Sequence, residues 1–160
     1  MIRYIRRMDI YLFGVYLLAC GAAATTGAMF SPGAWYQALA KPVWTPPNWL
    51  FPVAWTTLYV LMSAAAARAS AVEGAEFGLA LWSVQIAFNT LWTPIFFGLR
   101  RLQAAMVVMA GLWLSVAATT VAFFMLDYWA GLMFVPYLVW VSVAGALNFS
   151  VMRLNPDAVA

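Results

Sequence analysis

A chain of 160 residues that is 66% hydrophobic and 8% charged is not a water-soluble domain, which carries roughly 25% charged residues. Its net charge of +3 sits at segment ends, Arg3, Arg6, Arg7, Arg68, Arg100, Arg101 and Arg153, so no basic face exists for nucleic acid. With no histidine, imidazole base catalysis and histidine-ligated zinc or haem are excluded, and the single Cys20 excludes an intramolecular disulfide.

Apolar runs at approximately 10–30, 49–68, 77–97, 104–126 and 129–152 each approach the roughly 20 residues that a helix needs to cross a bilayer. None alternates as a barrel strand does. The expectation is an all-α, five-transmembrane-helix bundle forming one domain over residues 1–160, a multi-pass integral membrane protein in contact with membrane lipids. The first run follows Arg3, Arg6 and Arg7, and "LLAC" at 17–20 resembles a lipoprotein cleavage box. The apolar run nevertheless continues through Gly27 to Phe30, so a retained first helix is expected.

Ser31–Pro32 ends that helix and opens the longest connection, residues 31–48, the only one rich in proline and tryptophan. Pro42, Pro46, Pro47 and Pro52 stiffen it, and Trp44 and Trp49 make it a candidate lid over a cavity. Lys41 is its one cation, with two readings: contact with an anionic ligand tail, or snorkelling at the interface. Asn48 is the expected N-cap of the second span, and Pro52 fits its first turn. That span carries a stripe of Phe51, Trp55, Tyr59 and Met62, and its Ser63/Ala67/Ala71 spacing suits close helix packing inside or between protomers, as does Ala118/Ala122 later.

On the third span Trp82, Gln85, Asn89, Trp92 and Phe96 share one face; on the fifth, Pro136, Trp140, Ala144 and Leu147 do so, with Asn148 beside them. An amide in hydrocarbon must find a partner, so Gln85 and Asn89 should face the interior and bring Trp82 and Trp92 with them. Three inward aromatic stripes describe a pocket for a large planar ligand. Core packing satisfies the same spacing, and spacing alone does not separate the two. Pro94 and Pro136 free the carbonyls of Thr90 and Leu132. Gly98, Arg100 and Arg101 close the third span, and Asp127–Tyr128 is a tight turn. The carboxylates Asp9, Glu73, Glu76 and Asp127 all lie at segment ends, which argues against a proton or ion pathway. On five spans the positive-inside rule is tied: Arg3, Arg6, Arg7 and Arg68 against Lys41, Arg100, Arg101 and Arg153.

The segments "WYQALAKPVWTPPNWLFPVAWTTLY", "FNTLWTPIFFGLR" and "FVPYLVWVSVAGALNFSVMRLN" resemble the translocator protein family, also called tryptophan-rich sensory proteins or peripheral-type benzodiazepine receptors, and its bacterial branch most. The resemblance implies a five-helix bundle, commonly a homodimer, whose first loop closes over a pocket for porphyrins (protoporphyrin, haem), sterols and isoquinoline-type drugs. It implies a receptor or carrier role in tetrapyrrole metabolism, with the tetrapyrrole as ligand and no required cofactor. By matching motif the ligand-binding residues would be Thr26, Tyr36, Trp44, Pro46, Phe51, Trp55, Tyr59, Asn89, Trp92, Met109, Trp140 and Ala144; Gln85 joins them from its place on the third-span stripe. In some bacterial members the tryptophans at the positions of Trp55 and Trp140 are implicated in light- and oxygen-dependent porphyrin breakdown, which would make these two residues catalytic. A structural or lipid-sensing protein is the third reading. The sterol motif of animal members maps to Leu147, Phe149 and Arg153, with phenylalanine where tyrosine is expected, and a reversed version reads Arg7–Tyr11–Val15.

Overall fold

The computed structural model describes residues 9–158. Arg3, Arg6 and Arg7, and with them the start of the reversed sterol motif, lie outside the described residues. The chain forms α1 (Ile10–Met29), a short α2 (Ala34–Ala38), α3 (Leu50–Ala69), α4 (Glu76–Thr93), α5 (Leu102–Leu126) and α6 (Tyr128–Leu154), with no strand among the described residues. Four helices, α1, α3, α5 and α6, are long and apolar enough to cross a membrane. The fifth expected span, 77–97, is α4 and the turn after it. Glu76, Ser83, Gln85, Asn89 and Thr90 make α4 too polar to qualify by composition, so the count of five spans is not established.

Helix boundaries follow local chemistry. Asp9 caps α1, its carboxylate accepting from the amides of Tyr11 at 2.8 Å and Leu12 at 3.3 Å. The expected cap at Asn48 does not form: α3 starts at Leu50 after Trp49, with no side-chain cap. The Leu50 amide donates instead to the Pro47 carbonyl at 2.9 Å, so the proline turn itself starts the helix. Pro94 has no N–H to continue α4, and Pro94–Gly98 widens into a π turn in which the Leu99 amide reaches the Pro94 carbonyl at 2.8 Å. Arg100 then takes a left-handed φ of 57° that reverses the chain into α5.

The five long helices close into a ring, each packed chiefly on two neighbours in the order α1, α3, α6, α5, α4 and back to α1. Alanines decide where the ring is tight. Ala65, Ala66, Ala67 and Ala69 at the C-terminal half of α3 are fully buried and let its backbone approach α1 and α6. Met62, Trp82, Val116, Phe123, Phe134 and Tyr137 fill that end. At the N-terminal half of α3 the sequence changes to Phe51, Trp55 and Tyr59, whose rings prop the helices apart. In the other small-residue pair, Ala118 is exposed on the outer surface, so it packs nothing inside the bundle. Tyr11, Leu18, Val107 and Met125 also face outward, as expected where hydrocarbon is the solvent.

Arg68 clasps the tight end. Its Nε donates to Asp127 Oδ1 at 3.1 Å and its Nη2 to Oδ2 at 2.8 Å, while the same carboxylate caps α6 through the Ala130 amide. Burial works against the Asp127 charge. The Arg68 hydrogen bonds, the Ala130 amide, the Arg68 charge and the Trp129 amide outweigh it and hold the carboxyl below its usual pKa. A carboxyl with a lower pKa in the folded state adds stability above its unfolded pKa, and that stability is lost as pH falls through the folded value. Thermal unfolding in detergent should therefore show stability dropping below about pH 4. Asp127→Asn should flatten that slope; an equal slope in the variant would place the acid sensitivity elsewhere.

Candidate functional site

At the propped end the ring surrounds a cavity of about 860 Å³ that is partly open. Chain direction explains its makeup. The C-terminal halves of α1, α4 and α6 and the N-terminal halves of α3 and α5 meet at this end, and residues 32–48 run across it. Of the residues expected to bind ligand, Thr26, Tyr36, Phe51, Trp55, Tyr59, Asn89, Trp92, Met109, Trp140 and Ala144 all line it, and Leu147 does so too.

Each stripe read from the sequence splits at a common level. Phe51, Trp55 and Tyr59 open onto the cavity while Met62 packs below it. Asn89, Trp92 and Phe96 line it while Trp82 and Gln85 lie in the packed layer. Trp140, Ala144 and Leu147 line it, whereas Pro136 is exposed outside. Gln85 is thus corrected from wall to core: it is fully buried and neither of its amide atoms has a protein partner. The cavity floor is at Asn89, a turn further along α4, because the alanine-rich half of α3 closes the ring beneath it.

That floor is a three-helix hydrogen-bond bridge. The Tyr59 hydroxyl donates to Asn89 Oδ1 at 3.1 Å, and Asn89 Nδ2 donates to the Tyr137 hydroxyl at 2.9 Å, joining α3, α4 and α6. Rings build the walls. Trp92 stacks on Phe96 with centroids 4.8 Å apart, Phe51 meets Trp140 edge-on at 5.7 Å, and Trp55 lies 5.4 Å from Tyr59. Two polar atoms on wall residues, Trp92 Nε1 and Asn148 Oδ1, are buried with no protein partner, leaving one donor and one acceptor unspent. Among the described residues on the walls, none is a carboxylate and Lys41 is the single charged one. Burial raises the Tyr36 phenol above its ordinary pKa.

The roof is held from afar. Asn155, just past α6, accepts from the Ala40 amide at 2.9 Å and donates to the Ala40 carbonyl at 2.9 Å. Two roof residues are placed differently from expectation. Trp44 is 47% exposed and Pro46 is half-buried, and neither lines the cavity. The cause is a tight turn in which the Thr45 amide and hydroxyl both donate to the Pro42 carbonyl, at 3.0 and 2.6 Å, throwing Val43 and Trp44 outward. The sterol-motif residues are also divided: Leu147 faces inward, while Phe149 is exposed with the Arg153 guanidinium 5.8 Å from its ring. They form no single surface.

On α1 only Thr26 was expected; Ala23 and Gly27, with Phe30, Phe97, Leu112, Val141 and Val151 elsewhere on the walls, were missed. The small-residue segment "GAAATTG" at 21–27 carried the signal, since small side chains on one helix leave room for a ligand between it and its neighbours.

Residues 14–154 match the TspO/MBR family. A "Protein CrtK" of Rhodobacter capsulatus is 65% identical over 153 residues, covering 93% of this chain and 96% of the relative. A "Tryptophan-rich sensory protein" of Cereibacter sphaeroides is 57% identical, covering 96% and 99%. A human "Translocator protein" is 34% identical, covering 88% of each.

Proposed function

The chain belongs to the TspO/MBR family of membrane proteins, and from that premise we propose that it is a receptor or carrier for tetrapyrroles, protoporphyrin or haem among them. Sterols and isoquinoline-type drugs are the other ligands that its cavity suits, and the role is regulation or transport in tetrapyrrole metabolism. One observation carries the reading: a partly open cavity of about 860 Å³ walled by Trp55, Trp92 and Trp140 at the open end of an apolar bundle. That volume is in the upper part of the range of roughly 300–1,000 Å³ typical of ligand pockets. A flat macrocycle is driven in by removing its faces from water and is oriented by stacking on indole and phenyl rings.

Several parts of the proposal go together. The eighteen residues of α4 and the five of the π turn act as the fifth span, roughly 34 Å long at 1.5 Å per residue. Residues 1–160 work as one domain, two copies pair in the membrane, and binding needs no cofactor. Because the chain has no histidine, the commonest axial haem ligand is missing, and shape and stacking carry recognition of the macrocycle in preference to its iron. Purified protein titrated with protoporphyrin and with haem, followed by tryptophan quenching, should give comparable affinities. A strict requirement for iron would overturn this reading.

The position of two indoles favours a second reading. Trp55 and Trp140 both wall the cavity, and Trp55 lies 5.4 Å from Tyr59 and 6.1 Å from Tyr137, so an oxidised indole has phenols beside it to share the electron loss. On this reading the cavity also supports breakdown of bound porphyrin by light and dioxygen.

A further inference from the structure

Lys41 is the one charge on an otherwise neutral cavity wall, among the described residues, and no protein anion answers it. The one ion pair among the described residues joins Arg68 to Asp127 at the opposite, tight end of the ring. Lys41 Nζ donates instead to two neutral carbonyls, Leu39 at 3.0 Å and Gln37 at 3.3 Å, and sits 4.5 Å from the centre of the Tyr36 ring. Those contacts hold the ammonium in place without cancelling its charge. An ammonium has three donors, and two are used.

The placement is built, not left to a free side chain. The preceding residue, Ala40, is fixed to the end of α6 by the side-chain amide of Asn155, whose Oδ1 accepts from the Ala40 N–H and whose Nδ2 donates to the Ala40 carbonyl, at 2.9 Å each. Tyr36, beneath the cation, also lines the cavity. We infer that Lys41 is a specificity-determining residue, holding a carboxylate of the ligand at the mouth while the ligand's apolar body fills the aromatic interior. Beside low-dielectric walls an ammonium–carboxylate hydrogen bond is shorter and stronger than a neutral one, so the pair both selects and orients. The ligand class is accordingly a planar hydrophobe carrying acidic side arms, in preference to a neutral or esterified one. This rests on the tetrapyrrole reading above.

The experiment uses the full chain in a neutral maltoside detergent, titrated with protoporphyrin and with protoporphyrin dimethyl ester by tryptophan quenching. The wild type should prefer the free acid by about tenfold, the scale of one charge-assisted hydrogen bond. Lys41→Met should collapse the acid-to-ester ratio toward one, and Lys41→Arg should keep it. Equal binding of acid and ester by the wild type, or an undiminished ratio in Lys41→Met, overturns the inference and leaves the tetrapyrrole reading standing. Binding of neither compound overturns that reading, and the inference with it. The rival anion is a lipid headgroup. If replacing part of the detergent with phosphatidylglycerol abolishes the wild-type preference, the cation belongs to a lipid phosphate and the inference fails.

Discussion

Asn89→Leu is expected to destabilise the protein by about 1–3 kcal/mol, the cost of leaving a buried hydrogen-bonding group unpaired. The variant removes the acceptor of Tyr59 and the donor to Tyr137, whose side chain is fully buried. The loss should appear as a lower Tm in detergent. Adding Tyr137→Phe should recover part of it, because removing both partners of a buried bond costs less than removing one. Asn89 also forms the cavity floor, so porphyrin affinity should fall in the same variant. A purely structural or lipid-sensing role makes a different prediction: Tm falls, with no porphyrin affinity in the wild type to lose. A Tm unchanged from wild type would mean that the bridge does not hold the three helices.

Trp140→Ala should weaken protoporphyrin binding by about 2 kcal/mol, close to thirtyfold in Kd, from roughly 80 Å² of lost apolar contact at 25 cal/mol per Å². The indole faces the cavity beside Phe51 and is half-buried without ligand, so the cost to folding should be smaller than the cost to binding. Trp140→Phe separates binding from photochemistry. It keeps an aromatic wall and should retain most of the affinity while removing an easily oxidised ring. If illumination in air bleaches bound porphyrin at the wild-type rate in both Trp140→Phe and Trp55→Phe, indole-mediated breakdown is excluded. A loss of bleaching with binding intact would support it.

The sequence was most readable where one periodicity served one purpose. Apolar runs located the helices to within a few residues, and the stripes through Trp55, Asn89 and Trp140 identified three of the cavity's walls. It was least readable along the helix axis. Gln85 and Asn89 share a face and a chemistry, and nothing local says that the ring opens between them. That level is set by where the alanines of α3 give way to its aromatic rings, a property of two helices considered together. The roof was opaque for a related reason. Prolines announced a stiff segment but not the sense of the turn at Pro42–Thr45, which puts Trp44 outside and leaves Lys41 within. Apart from Thr26, the α1 wall was hidden because small residues look like plain membrane filler until a space appears beside them.

The pairing of Asn155 with Ala40 ties two segments far apart in the sequence into one mechanical unit at the mouth of the cavity. A side-chain amide here imitates a strand partner, satisfying the N–H and C=O of a single residue 115 positions earlier in the chain. Any displacement of Ala40 from the end of α6 breaks both bonds together. A chain ending at Leu154 would keep every wall residue and lose the catch.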